Sequence, residues 1–227
     1  MNKLDIEKLL SNKIKKSQLY LDSITHRSAS NINNERLEFF GDAILGLIIA
    51  EYLYEKFPND DEGSLSRKRS HLVRKETLYK VAINYNLGSK IILGEGEKKS
   101  GGHRRESIIS DALEALIAVV YIIEGFDAAK IFIYEIFNKS IHSIPSNDDL
   151  KDAKTKLQEL LQSKNCGLPE YETQEINKNN KISFKTICKI KEHNIYENGV
   201  GGNKRKSQQE SAAKALNKIT QVYKKNG

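Results

Sequence analysis

Apolar residues recur at helical spacing through most of the first 140 residues. A repeat near 3.6 residues buries one stripe of each helix and leaves the opposite face in solvent. The segments that follow this pattern lie near residues 4–10, 17–28, 35–57, 64–84, 106–124 and 127–139. Residues 1–140 are therefore predicted to form an all-α domain.

The pattern changes after residue 140. Residues 141–152 mix Pro, Ser, Asn and charged residues without a sustained period, which is typical of a linker. The elements predicted beyond it are a helix at 153–163, strands at 171–176, 181–190 and 194–198, and a helix at 204–219. The resulting α-β-β-β-α order predicts a second, small α+β domain over residues 153–221.

The positive charge of the chain is concentrated in this second part. From Lys151 onward there are 16 Lys and Arg against 8 Asp and Glu, whereas the preceding residues carry 21 against 22. A basic domain beside a near-neutral one is typical of a polyanion-binding module joined to a domain with another task. A lysine-rich surface without a specific ligand would explain the charge alone equally well.

Secretion and membrane insertion are not expected. The N-terminus scatters charged residues through its first 16 positions, and the longest apolar runs, 43–50 and 115–123, are under half of the about 20 residues needed to cross a bilayer. Cys166 and Cys188 lack the spacing of a zinc site or a disulfide framework. A reduced, cytoplasmic setting is therefore predicted.

Carboxylates interrupt two of the most apolar helical segments. Glu35, Glu38 and Asp42 fall at positions i, i+3 and i+7 of the segment that begins at Glu35, so they share one face. Asp111 and Glu114 lie three residues apart in the segment that begins near residue 106. Burying ionised carboxylates without a partner costs several kcal/mol each, so the pattern requires a neutralising cation.

The identity of that cation distinguishes three hypotheses. Ligands that are all oxygens favour Mg²⁺, with Mn²⁺ as a possible substitute, and such an ion can activate water for hydrolysis of a phosphodiester. A di-iron bundle would need Glu-x-x-His, and neither segment contains a histidine. The third hypothesis is purely structural, with the acids neutralised by ion pairs to Arg36, Arg67, Lys68 or Arg69. No motif for a small-molecule cofactor is found.

Five sequence blocks resemble those of the ribonuclease III family. NNERLEFFGDAILG at 33–46 resembles its signature, with Phe40 where the usual residue is Leu. The other blocks, in the family's order, are THRSAS at 25–30, FPNDDEGSLSR at 57–67, LGEGEKKSGG at 93–102 and RRESIISDALEALI at 104–117. The resemblance implies an all-α endonuclease domain followed by a double-stranded-RNA-binding domain.

The same resemblance implies roles for individual acids. The residues that match the family's magnesium-binding acids are Glu38, Asp42, Asp111 and Glu114. Of these, Asp42 and Glu114 match the pair usually called catalytic. Glu35 and Glu62 match supporting acids, implied to act at the dimer interface and in substrate contacts.

The implied activity is cleavage of double-stranded RNA by a homodimer. A two-fold dimer places one site on each strand of a duplex, which presents its strands with the same symmetry. The family implies 5′-phosphate and 3′-hydroxyl ends, short 3′ overhangs, and a role in processing ribosomal, messenger and transfer RNA precursors. The alternative is a catalytically silent scaffold that binds double-stranded RNA, but a scaffold has no need of four mutually repelling acids.

RNA-binding residues are predicted in the second domain. Gln158, within a T-x-LQE pattern that resembles the family's, can donate and accept hydrogen bonds with 2′-hydroxyls. Lys204, Arg205 and Lys206 open the last helix, where the free backbone N–H groups already favour phosphate. Asn180 stands where this domain type usually has His, so an altered contact with the minor groove is expected there.

Overall fold

The structure, a computed structural model, describes residues 4–178 and 181–225. The chain divides into two compact units, Met1–Pro145 and Ser146–Gly227. The predicted linker, residues 141–152, contains this boundary together with the end of one helix and a further short helix. In the described ranges, no helix combines the length and the apolar character needed to cross a membrane.

The first unit is helical, as predicted. Its α-helices are α1 Asn12–Lys15, α2 Gln18–Ser23, α3 Glu35–Lys56, α4 Glu62–Val73, α5 Lys75–Asn84, α6 Glu95–Lys99, α7 Glu106–Glu124 and α8 Phe126–His142. Short 3-10 turns lie at Ile6–Leu9, Leu87–Ser89 and Gly102–Arg104. The predicted all-α class is therefore confirmed for this unit.

Helix α7 lies at the centre of this unit. It packs against α3, α5 and α8, and from Ile108 to Val120 every residue except Asp111 is buried. A helix that is apolar around its whole circumference is stable only when neighbours cover all of it. The two acids on α7 are therefore held by a helix that its neighbours cover almost completely.

The helix predicted over 64–84 is two helices. Arg74 adopts an extended conformation (φ −70°, ψ 153°) that ends α4 and begins α5, and the Thr77 hydroxyl donates a 2.7 Å hydrogen bond to the carbonyl of His71 across the break. The apolar period continues because Leu72 and Leu78 are both buried in the same core. The break places Lys75 at the first position of α5.

The second unit has the predicted α-β-β-β-α order. Its elements are α9 Asn147–Leu150, α10 Ala153–Ser163, β1 Glu170–Lys178, β2 Lys181–Ile190, β3 Ile195–Gly201 and α11 Lys204–Lys225. The strands form an antiparallel sheet in the order β1-β2-β3, with Thr173 opposite Thr186 and Cys188 opposite Glu197. Leu157 and Leu161 of α10 and Ala212 of α11 complete a core with Cys188 of β2.

Helix α11 packs very closely on β3. Gly199 and Gly201, which lie beyond the predicted strand 194–198, belong to β3. A Cβ at Gly201 would lie 2.5 Å from the Ser207 nitrogen. The buried Ser207 hydroxyl also makes a 2.7 Å hydrogen bond with Thr186 of β2. The first turns of α11 are therefore fixed against the sheet by both packing and hydrogen bonding.

Candidate catalytic site and RNA-binding surface

Three of the four predicted acids meet where α3 crosses α7. The side chains of Glu38, Asp111 and Glu114 each offer a carboxylate oxygen, and these oxygens lie within 4.8 Å of one another. The crossing is close because Gly41 has no side chain: a Cβ there would lie 2.5 Å from the carbonyl carbon of Glu114 and nearer still to its oxygen. The turn of α3 from Glu38 to Gly41 thus provides both the close contact with α7 and one of the three converging acids.

Burial and repulsion perturb this acid group strongly. Burial of Glu114, followed by the negative charges of Asp42, Glu38 and Asp111, raises its pKa to about 8. Burial, and then the charge of Asp111, also raises the pKa of Glu38. Burial is the larger cause of both pKa shifts, and the second cause is the negative charge of neighbouring carboxylates, which a bound cation would offset.

Asp42 faces the same cleft from a more exposed position. It lines a cavity of about 570 Å³ together with Glu38, Glu114 and Lys75, and after burial its charge contributes most to the raised pKa of Glu114. Its oxygens are not among those within 4.8 Å of one another. The structure therefore brings oxygens of three acids within 4.8 Å of one another and places the fourth acid in the same cavity.

The donor set suits a hard divalent cation. All three donors are carboxylate oxygens, the ligand type that Mg²⁺ and Mn²⁺ prefer. Neither α3 nor α7 contains the histidine that a di-iron site would need. The acids can therefore accommodate a cation that also retains open positions for water and phosphate.

Lys75 supplies a cation that the sequence did not predict. Its Nζ lies 3.0 Å from Asp111 Oδ1. The purely structural hypothesis predicts ion pairs from Arg36, Arg67, Lys68 or Arg69 to the acids. Two of these cations pair elsewhere: Arg67 Nη2 lies 4.0 Å from Asp61 Oδ1, and Lys68 pairs with Asp60. Among the residues that the structure describes, the ion pair of this group is that of Lys75 with Asp111, and Arg36 and Arg69 make none with it, so the four acids are neutralised only in part.

The supporting acids occupy separate positions. Glu35, at the start of α3, lines the cavity that contains Glu38 and Asp42 and forms a 3.1 Å ion pair with Arg27. Glu62, at the start of α4, accepts a 2.7 Å hydrogen bond from Ser66 and borders a different groove. Glu35 is therefore adjacent to the acid group, whereas Glu62 belongs to another part of the surface.

The second unit exposes a basic helix terminus. Lys204, Arg205 and Lys206 form the exposed first turn of α11, which Asn203 caps by accepting a 2.8 Å hydrogen bond from the Lys206 amide. Gln158 is exposed on α10. Such a terminus combines lysine and arginine charge with free backbone donors, which is the chemistry that binds phosphate. The predicted contact at Asn180 lies outside the described residues.

The fold and the site together define a class of protein. An all-α domain holds a carboxylate group suited to a divalent cation, and a small α+β domain presents a basic helix terminus to a polyanion. This combination is typical of an enzyme that acts on nucleic acid.

Comparison with known proteins identifies the family. A family model described as ribonuclease-III-like matches residues 16–141, and one described as a double-stranded RNA binding motif matches residues 153–219. Ribonuclease 3 of Histophilus somni is 43% identical over 215 residues, covering 94% of this chain and 96% of that protein. Ribonuclease 3 of Ectopseudomonas mendocina is 44% identical over 212 residues, covering 93% of each.

A solved structure is similar to the first unit. The nuclease domain of ribonuclease III from Campylobacter jejuni is 41% identical with a TM-score of 0.57, and the match covers 59% of this chain and 94% of that domain. The chain belongs to the ribonuclease III family, and it is an endoribonuclease specific for double-stranded RNA that carries its own double-stranded-RNA-binding domain.

Proposed function

We propose that the chain hydrolyses phosphodiester bonds of duplex RNA at Glu38, Asp42, Asp111 and Glu114, with Mg²⁺ as its natural metal and Mn²⁺ as a substitute. The observation that carries the proposal is the group of three carboxylates within 4.8 Å on two apolar helices, with the pKa of Glu114 raised to about 8. A purely structural acid group would be fully paired with cations, which a single lysine does not achieve.

The four acids would have different roles in the reaction. A divalent ion at this site would supply Lewis-acid activation of water and neutralise charge on the phosphodiester. Glu38, Asp111 and Glu114 provide the oxygens that hold it, and Glu114 must release its proton to do so. Asp42, exposed beside them, can accept a hydrogen bond from the attacking water and orient it. Water attacks phosphorus and the bond to the 3′ oxygen breaks, which leaves a 5′-phosphate and a 3′-hydroxyl.

Exposed apolar residues on α3 and in the segment just before it support a homodimer. Phe39 is 81% exposed, and Leu47 and Ile32 are also exposed. Phe39 and Ile32 border a groove of about 1010 Å³. Such a surface favours covering by another protein surface, and the solved Campylobacter jejuni domain comes from work on a region involved in dimer formation. A two-fold dimer would cut both strands of a duplex and leave short 3′ overhangs.

The second unit would hold the duplex while the first cuts it. Lys204, Arg205 and Lys206 would meet phosphates, and Gln158 would contact 2′-hydroxyls in the minor groove. A domain that reads the shape of a duplex rather than its sequence suits many structured substrates. Processing of ribosomal, messenger and transfer RNA precursors is the corresponding cellular role.

A cleavage assay with matched variants tests the proposal. The wild type should cut duplex RNA with Mg²⁺ and stop when a chelator is added, and the products should require phosphatase treatment before their 5′ ends can be labelled by a kinase. Glu114→Gln should bind duplex RNA with unchanged affinity and leave it uncut. Glu124→Gln, at the exposed end of the same helix, should cut as the wild type does. Binding without cleavage by the wild type would establish the silent scaffold instead.

A further inference from the structure

Lys75 forms an ion pair with an acid of the proposed metal site. Asp111 is one of the three acids whose oxygens converge, and Lys75 Nζ lies 3.0 Å from Asp111 Oδ1. Glu38 and Glu114 also attract the ammonium group. The lysine therefore pairs with Asp111 and is also attracted by Glu38 and Glu114, the other two acids whose oxygens converge.

Lys75 is also able to leave. Its side chain is 59% exposed, whereas that of Asp111 is 24% exposed. It begins α5 directly after the extended Arg74, and its four-carbon stem rotates freely without repacking the core. Departure of the ammonium group would cost little because water replaces Asp111 as its partner.

We infer that Lys75 is an intramolecular competitor of the catalytic metal: its ammonium group occupies Asp111 in the metal-free protein, and a divalent cation must displace it to bind. The inference rests on the proposed metal site. It assigns Lys75 a role in setting metal affinity, as a residue that acts through Asp111 rather than on the substrate.

The size of the effect follows from charge and distance. A unit charge roughly 5 Å from a divalent ion, in a solvent-like dielectric and screened by physiological salt, changes the affinity by about fivefold. Removing the charge of Lys75 should therefore tighten metal binding by about this factor. Without Lys75 the acids of the metal-free protein lose their positive partner, so the thermal midpoint of this form should fall. The rise in thermal midpoint on adding metal should be larger than in the wild type.

The experiment measures Mn²⁺ binding to the full-length chain without RNA, by electron paramagnetic resonance of free Mn²⁺. Lys75→Gln should lower the Kd about fivefold, and Lys75→Arg, which keeps the charge, should stay near the wild type. Lys80→Gln removes the same charge from an exposed position later on α5 and should leave the Kd unchanged.

The outcomes separate the two proposals. If Lys75→Gln binds Mn²⁺ with the same or lower affinity than the wild type, Lys75 is not a competitor and the inference is wrong, while the metal site stands. If Lys80→Gln tightens binding as much as Lys75→Gln, the effect is one of net charge and the inference is equally wrong. If no variant and no wild-type protein binds Mn²⁺, the proposed metal site itself fails.

Discussion

Replacing Gly41 with Ala tests whether the closeness of α3 and α7 creates the catalytic geometry. The added methyl carbon would lie 2.5 Å from the carbonyl carbon of Glu114. Carbon atoms in contact need about 3.5 Å, so the two helices must separate locally by about 1 Å. The obstacle is main chain on both sides, which cannot rotate away as a side chain could. The displaced residue is Glu114 itself.

Gly41→Ala should lower the stability of the domain slightly and its cleavage rate strongly. Overpacking of this kind costs about 1–3 kcal/mol, and a loss of about 2 kcal/mol lowers the Tm of a domain of this size by roughly 6 °C. A displacement of about 1 Å in a catalytic group can reduce the rate by on the order of 100-fold. Gly41→Ala should therefore remain folded at room temperature while cleaving duplex RNA about 100-fold more slowly.

The assay is single-turnover cleavage of a labelled duplex with saturating Mg²⁺, alongside thermal unfolding and duplex binding. Binding should be unchanged because the residues proposed to grip RNA lie in the other unit. Gly46→Ala is the matched control, since a Cβ at that position of α3 meets nothing within 4 Å. It should leave cleavage unchanged and stabilise the helix by about 0.5–1 kcal/mol.

Either of two results would refute this reasoning. Cleavage by Gly41→Ala within about threefold of the wild type would mean that the helix spacing does not set the acid geometry. An equal loss of cleavage in Gly46→Ala would mean that any side chain added to this helix is harmful.

Three further predictions concern pH, the second unit and the dimer. The pKa of Glu114 is raised to about 8 from its usual 4.5, so without metal the folded protein binds this proton more tightly than the unfolded chain does. The Tm measured in a chelator should therefore fall as pH rises from about 4.5 to 8, and more steeply than the Tm of Glu114→Gln. Parallel Tm curves for the two proteins would contradict this. Ending the chain at Pro145 should weaken duplex binding most at physiological salt, which a salt titration would show; unchanged binding would disprove it. Phe39→Ser should keep the Tm but sediment as a monomer, and a persistent dimer would place the interface elsewhere.

The acids could be predicted from the sequence because helical spacing fixes them locally. Glu38 and Asp42 lie one turn apart on α3 in any helical arrangement, and the three-residue spacing of Asp111 and Glu114 does the same on α7. That the two pairs face each other depends on the packing of α3 on α7. The periodicity alone left this open, and the family resemblance supplied the expectation.

Features that depend on contacts distant in the sequence could not be predicted. Lys75 pairs with Asp111 from the first position of α5, directly after the chain breaks at Arg74. The apolar pattern does not reveal this break because buried leucines continue on both sides of it. The predicted third strand ends at residue 198, whereas β3 continues through Gly199 to Gly201. Glycine is needed at position 201 because Ser207 of α11 approaches it so closely.

The burial of Glu114 among repelling carboxylates has an evolutionary consequence. Burial and repulsion disfavour the charged form of Glu114 in the metal-free domain, so under the proposed function selection for catalysis opposes selection for folding at this position of α7. A lineage released from the need to cut RNA would gain stability by substituting Glu114. Inactive, stably folded descendants of such a domain should therefore arise easily.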